Sequence, residues 1–140
     1  MTVSICCLTY NHEKYIRQCL DGLIMQKTEF DFEILVHDDA SSDATQSIIN
    51  EYVVAYPNLI KPILQIRNQY SQGISPLRQI LFPLVKGKYV ALCEGDDYWT
   101  DPLKLQKQVD FLENHPDYSL CCHMVRRINQ QTGEELKSDY

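Results

Sequence analysis

Tyr89-Val90-Ala91-Leu92-Cys93-Glu94-Gly95-Asp96-Asp97 reads as a buried segment that ends in three carboxylates within four residues. The apolar run has the length of a short strand covered on both faces. Crowded like charges repel, and burial raises the cost, so such a cluster at a strand end needs a compensating group. A hard divalent cation, Mg²⁺ or Mn²⁺, meets that need, because carboxylate oxygens hold it and phosphate oxygens often sit beside it. An acidic turn is the other reading, since Gly and Asp are also ordinary turn residues.

Working outward, the chain alternates strands and helices. Val3–Leu8 and Phe32–His37 are further apolar runs of strand length. From about Glu13, residues Ile16, Cys19, Leu20, Leu23 and Ile24 recur at helical spacing on one stripe, and Ile48, Ile49, Tyr52, Val53 and Tyr56 do the same ahead of Pro57. Ile60–Ile66 reads as a strand whose Pro62 confines it to a sheet edge. A helix is expected from about Ser75 to Val85, with Pro76 in its first turn and Pro83 kinking or ending it. Asp101 and Pro102 read as N-cap and first residue of a helix to about Asn114. Tyr118–Val125 reads as a last strand, and 126–140 as a polar tail with a turn near Thr132-Gly133, either a short hairpin or a frayed end. Strands separated by helices of this length give a mainly parallel three-layer α/β/α sheet, one domain over 1–140 with its core in 1–125.

Composition narrows the class. At 140 residues, 44% hydrophobic and 23% charged, the chain suits one globular domain. It has no apolar stretch of bilayer-spanning length, and Asn11, His12 and Glu13 interrupt the first apolar run, which argues against a secretory leader. A net charge of −6 gives no general attraction to nucleic acid. Of the six cysteines, Cys6-Cys7 and Cys121-Cys122 are adjacent pairs in apolar runs, and no C-x-x-C occurs. Adjacent strand residues face opposite sides, so both pairs are expected as reduced core thiols of a cytoplasmic protein.

Parallel α/β sheets bind ligands outside the carboxyl ends of their strands. Three polar clusters fall there: Thr9-Tyr10-Asn11, Asp38-Asp39 and Glu94-Gly95-Asp96-Asp97. An aromatic ring, amide and hydroxyl groups, and carboxylates suit a ligand with a flat base, sugar hydroxyls and a metal-bridged diphosphate.

Here the chain resembles the family 2 glycosyltransferases, inverting enzymes of GT-A fold that use nucleotide sugars. The resemblance runs in order through Ser4–Asn11, Glu33–Asp43, Gly73 with Arg78, Lys86–Val90, Glu94–Trp99 and Pro102–Leu105. It implies that Thr9 and Tyr10 border the base, with Asn11 and Glu13 beside them. Asp39 resembles the carboxylate that reads the base, with Asp38 its neighbour, and Arg78 the arginine that meets diphosphate or sugar. Asp96 and Asp97 resemble the metal-proximal end of the family's acidic motif, Asp97 being the first choice for direct ligation. Glu94 stands where that motif often has Asp, which leaves its contact with cation or sugar open. The resemblance further implies a sugar or lipid-linked acceptor, and it leaves room for homo-oligomers and for peripheral membrane association of a longer form.

Plainer readings stand beside these roles. Tyr10 packs on the first helix in one, Asp38, Ser41 and Asp43 cap the second helix in another, and Arg78 is a solvated surface residue. His37 and His123 read as structural, and Tyr98 and Trp99 as packing in the pocket wall. In the family the general base lies in a later segment, so it is expected beyond Tyr140, and this chain is expected to bind a nucleotide diphosphate yet turn over poorly alone. A non-catalytic nucleotide-binding or interaction module is the alternative. A phosphoacceptor receiver fits poorly, since its acidic pair would follow the first strand.

Overall fold

The computed structural model describes residues 1–129 and 131–136 and divides into two compact units, Met1–Val109 and Asp110–Tyr140. In the first unit, β1 (Val3–Thr9), β2 (Phe32–Asp38), β3 (Ile60–Leu64) and β4 (Tyr89–Glu94) form a parallel sheet in the order β3-β2-β1-β4. β3 lies at an edge, where Pro62, opposite Val36, lacks the N–H of an inner strand.

One sheet face is covered by three helices, α1 (Ile16–Ile24), α2 (Thr45–Ala55) and α3 (Lys104–Asn114). Ile16, Cys19, Leu20 and Leu23 of α1 meet Ile5, Cys7, Ile34 and Val36 of the sheet, with Ile48, Ile49, Leu105 and Val109 completing the core. No side chain caps α1 at its N-cap position, Tyr15, so the helix rests on this burial. Its three buried Ile and Leu side chains contribute about 5–9 kcal/mol as an upper bound.

The opposite face carries Cys6, Leu35 and Leu81, packed with Leu8, Ile63, Leu77 and Val85. It is covered by a wide π-type turn, Pro76–Leu81, followed by a 3-10 turn, Phe82–Leu84, and not by the α-helix the spacing predicts. The Phe82 N–H bonds five residues back to the Leu77 carbonyl, and Pro83 offers no N–H to continue an α ladder.

The connectivity explains the layers. From β1 to β3 the chain steps outward in one direction with α1 and α2 on one face; it then returns over the other face to place β4 on the far side of β1. Right-handed crossovers require that change of face when the direction reverses. The reversal lies between β1 and β4, where open α/β sheets bind ligands.

In the second unit, Phe111 stacks on His115 at 4.4 Å and meets Tyr118 edge-on at 5.4 Å. Two short antiparallel strands, β5 (Arg127–Ile128) and β6 (Glu135–Leu136), enclose a turn with Gly133 at φ 72°. The strand expected over 118–125 does not form: those residues belong to no strand, and Tyr118, Leu120, Met124 and Val125 are exposed. An apolar run becomes a strand only with a neighbour to bond its backbone, and the run itself does not reveal one. Cys122 is exposed and Cys121 half-buried, so that pair is not core, whereas Cys6 and Cys7 are buried on opposite faces. Cys6, Cys7, Cys19, Cys93 and Cys122 carry free thiols. Among the described residues no helix is long and apolar enough to cross a membrane.

Candidate functional site

Register brings the strand ends level, since Thr9 pairs with Asp38 and Leu8 with Glu94. The loops after β1 and β2 are cross-bonded. Asn11, at φ 54°, donates its N–H to Ser41 Oγ at 2.8 Å and accepts the Ser42 N–H on Oδ1 at 2.8 Å. The His12 N–H donates to Thr45 Oγ1 at 2.9 Å, and the Glu13 N–H to Asp43 Oδ2 at 3.1 Å. Glu13 Oε2 in turn accepts the Ala44 N–H at 2.9 Å.

Asp43 also accepts the Thr45 N–H at 2.9 Å, so Glu13 and Asp43 between them satisfy the first orphan donors of α2. Burial pushes the Asp43 carboxyl upward, but hydrogen bonds from Thr45 and the Glu13 N–H outweigh it and leave it below the ordinary carboxylate value.

The two adjacent aspartates do different work. Asp38 is fully buried and accepts from the Ser41 hydroxyl and N–H and from Gln46 Nε2 at 2.6 Å. Expected beside Asp39 on the ligand, Asp38 has its carboxylate turned into the protein toward Ser41 and Gln46. Asp39 lies on a cleft of about 430 Å³ lined by Tyr10, Asp39, Asn68, Tyr70 and Ser71. Its carboxylate accepts the Gln69 N–H at 2.7 Å and the Tyr70 N–H at 3.0 Å, and its carbonyl accepts Asn68 Nδ2 at 3.1 Å. A carboxylate has about four lone-pair sites, so Asp39 retains capacity for a further donor. Ala40, next in chain, sits at φ 64°, local strain of the kind concentrated at ligand sites.

The acidic turn closes the other side of β1. The Gly95 N–H bonds the Leu8 carbonyl at 2.8 Å and the Asp97 N–H the Glu94 carbonyl at 3.0 Å, leaving Glu94, Asp96 and Asp97 exposed. His12 Nε2 lies 3.9 Å from Asp96 Oδ2. By its pairing with Leu8, Glu94 projects on the sheet face opposite α1. Only glycine fits at 95: a Cβ there would stand 2.7 Å from Thr9 Cβ and Oγ1. Thr9 Oγ1 and His12 Nδ1 are buried beside it without a partner among the described residues.

Beneath the turn, the sulfurs of Cys7, Cys19 and Cys93 form a chain with contacts of 3.8 and 3.9 Å, and Cys19 Sγ reaches the Glu94 carbonyl at 3.4 Å. The Cys7 contact is the main cause of the upward push on the Cys19 thiol, so these groups pack as neutral sulfurs. Trp99 is buried in the main core, with Lys104 Nζ 4.0 Å above its ring, and Tyr98 beside it is exposed. His37 is buried with neither ring nitrogen bonded; burial lowers its pKa against the pull of Asp39 and Asp38, keeping the ring neutral.

Thr9, Tyr10, Asn11, Glu13, Asp38, Asp39 and the Glu94–Asp97 turn thus share one rim. Arg78 is exposed on the π-type turn, with no ion pair or hydrogen bond among the described residues, and nothing ties it to the cleft. Asn68, Tyr70 and Ser71 enter the site without a sequence expectation; the available signal was the polar turn Asn68–Ser71 ahead of Gly73. Among the described residues no three His, Cys, Asp or Glu side chains are arranged to hold a metal ion by themselves. Asp96 and Asp97 are nonetheless hard, exposed oxygen donors, the type that binds Mg²⁺ or Mn²⁺ through one or two carboxylates plus water and phosphate.

The model of glycosyl transferase family 2 matches residues 4–139. An uncharacterized protein of Mycobacterium tuberculosis is 47% identical over 133 residues, covering 95% of this chain and 38% of its own length. The poly(ribitol-phosphate) beta-glucosyltransferase of Bacillus spizizenii is 32% identical over 121 residues, covering 86% of this chain and 19% of its own. S. aureus TarS 1-349, solved in complex with UDP-GlcNAc, superposes with a TM-score of 0.68 at 31% identity, covering 83% of this chain and 32% of that one. The chain therefore spans well under half the length of these relatives. Sheet, rim and sequence agree: this chain belongs to the family 2 glycosyltransferases.

Proposed function

We propose that this chain holds the nucleotide-diphosphate end of an activated sugar, for transfer with inversion to a sugar or lipid-linked acceptor hydroxyl. The setting is assembly of a cell-surface polymer on the cytoplasmic side; the Bacillus relative is named for glucosyl transfer to poly(ribitol-phosphate), itself a polymer. The observation that carries the reading is the rim itself: a cleft with Tyr10 and Asp39 on one side of β1 and an acidic turn on the other, astride the topological switch point.

Tyr10 stacks on the base, and Asp39 accepts from a base N–H while holding the loop behind it. Thr9 lies beside the acidic turn, Asn11, Glu13 and Asp38 keep the two loops in register, and Glu94 serves the diphosphate or sugar, a role that only the family resemblance gives to Arg78. Asp96 and Asp97 would hold Mn²⁺ or Mg²⁺, which when bound would supply positive charge for the diphosphate. The carboxylate that takes the acceptor's proton is assigned to none of these residues, so transfer by 1–140 alone is slow or absent.

A melting panel of UDP, GDP and dTDP, with and without Mn²⁺, tests the reading. A ligand at about 100 times its Kd stabilises by roughly 2.7 kcal/mol, and Asp97→Ala removes the Mn²⁺-dependent part of that gain. No stabilisation by any of the three with metal present, or steady multiple-turnover transfer by 1–140, would overturn it.

A further inference from the structure

We propose that Tyr70 is the second aromatic wall of the cleft, so that the base is held between the rings of Tyr10 and Tyr70. This rests on the nucleotide reading above. Tyr70 is 77% exposed and Tyr10 47% exposed, yet both line the same 430 Å³ space. Among the described residues neither ring touches another ring and neither hydroxyl is bonded, so each presents a π-face to the cleft.

An exposed tyrosine on a loose loop would mean little. Here the backbone beneath it is fixed. The Gln69 and Tyr70 N–H groups donate to the Asp39 carboxylate, and the Tyr70 carbonyl accepts the Gly73 N–H at 3.0 Å. Gly73 takes the φ of +78° that this tight return requires. Asn68 Oδ1 accepts the Ser71 N–H at 2.8 Å, and the Asn68 carbonyl accepts Gln72 Nε2 at 2.8 Å. The loop is thus a rigid mount that holds one large ring out over the cleft. A planar base presents two π-faces, and a second ring desolvates the face that Tyr10 leaves open. Asp39 then serves both walls at once, as neighbour of the base and as latch of the loop that carries Tyr70.

Calorimetric titration tests this on wild type, Tyr70→Ala and Tyr70→Phe. The probes are the tightest-binding of UDP, GDP and dTDP with Mn²⁺, and inorganic pyrophosphate with Mn²⁺ as a base-free control. Tyr70→Ala should weaken nucleotide binding by ~10-fold, the size of one base–aromatic stack, and leave pyrophosphate unchanged. Tyr70→Phe should stay within about twofold of wild type, since the ring and not the hydroxyl does the work. Equal nucleotide affinity in wild type and Tyr70→Ala overturns the proposal, as does a parallel loss for pyrophosphate, which would mark a general distortion. A wild type that binds none of the three nucleotides refutes the nucleotide reading itself, a different and separately visible failure.

Discussion

Replacing Gly95 with alanine adds one methyl group at the point where the acidic turn leans on β1. The new Cβ would lie 2.7 Å from both Cβ and Oγ1 of Thr9 and 3.0 Å from His12 Nδ1, where ordinary contact starts at 3.4 Å. Thr9 cannot retreat: it is buried, pairs with Asp38, and its carbonyl accepts the Asp39 N–H at 3.0 Å. The turn must give way instead, breaking or stretching the 2.8 Å bond from the Gly95 N–H to Leu8. Overpacking of this kind costs about 1–3 kcal/mol, so a loss near 2 kcal/mol and a fall in Tm of roughly 6–10 °C are expected. Because Asp96 and Asp97 move with the turn, the Mn²⁺-dependent increment in nucleotide affinity should fall further than affinity measured without metal. Scanning calorimetry and titrations with and without Mn²⁺ read both effects. A variant that melts within about 1 °C of wild type and keeps its full metal-dependent increment would refute this account of the turn.

Two further outcomes follow from the rim and the core. Asp43→Ala should cost about 1–2 kcal/mol in urea unfolding at neutral pH, through the lost cap on α2. The Asp43 carboxyl is held below its ordinary value of 3.8, so its contribution is complete above that value and fades as pH falls through the lower folded value; wild type and variant should therefore converge in strong acid and not in base. Thiol labelling of the native protein should modify Cys121 and Cys122 quickly, and reach Cys6, Cys7, Cys19 and Cys93 only on unfolding. Fast labelling of all six would contradict the burial described.

The parallel strands were legible because each is a short, mainly apolar run of strand length, and Pro62 marked the edge. The π-type turn was not, since its apolar residues keep near-helical spacing and only the prolines hint that the ladder fails. Tyr118–Val125 shows the same limit from the other side: apolarity without a partner is no strand. Within the site, residue types told which groups gather at the rim but not which way each is turned. Asp38 and Asp39 are chemically identical neighbours, and opposite facing on a strand end sends one inward to Ser41 and Gln46 and the other to the cleft. Asn68 and Tyr70 were missed because their position depends on bonds from Asp39, 30 residues away for Gln69 and 31 for Tyr70, and no local pattern encodes those.

The bonds that join the loops after β1 and β2 bear on the tempo of binding. Asn11, His12 and Glu13 are fastened to Ser41, Ser42, Asp43, Ala44 and Thr45 by hydrogen bonds of the chain itself. If the rim takes a nucleotide as proposed, these bonds leave little ordering to accompany capture. Encounter should then proceed as a single bimolecular phase whose rate rises linearly with nucleotide concentration, free of the plateau a slow loop closure would impose. Selectivity among nucleotides would be expressed in how long each one stays.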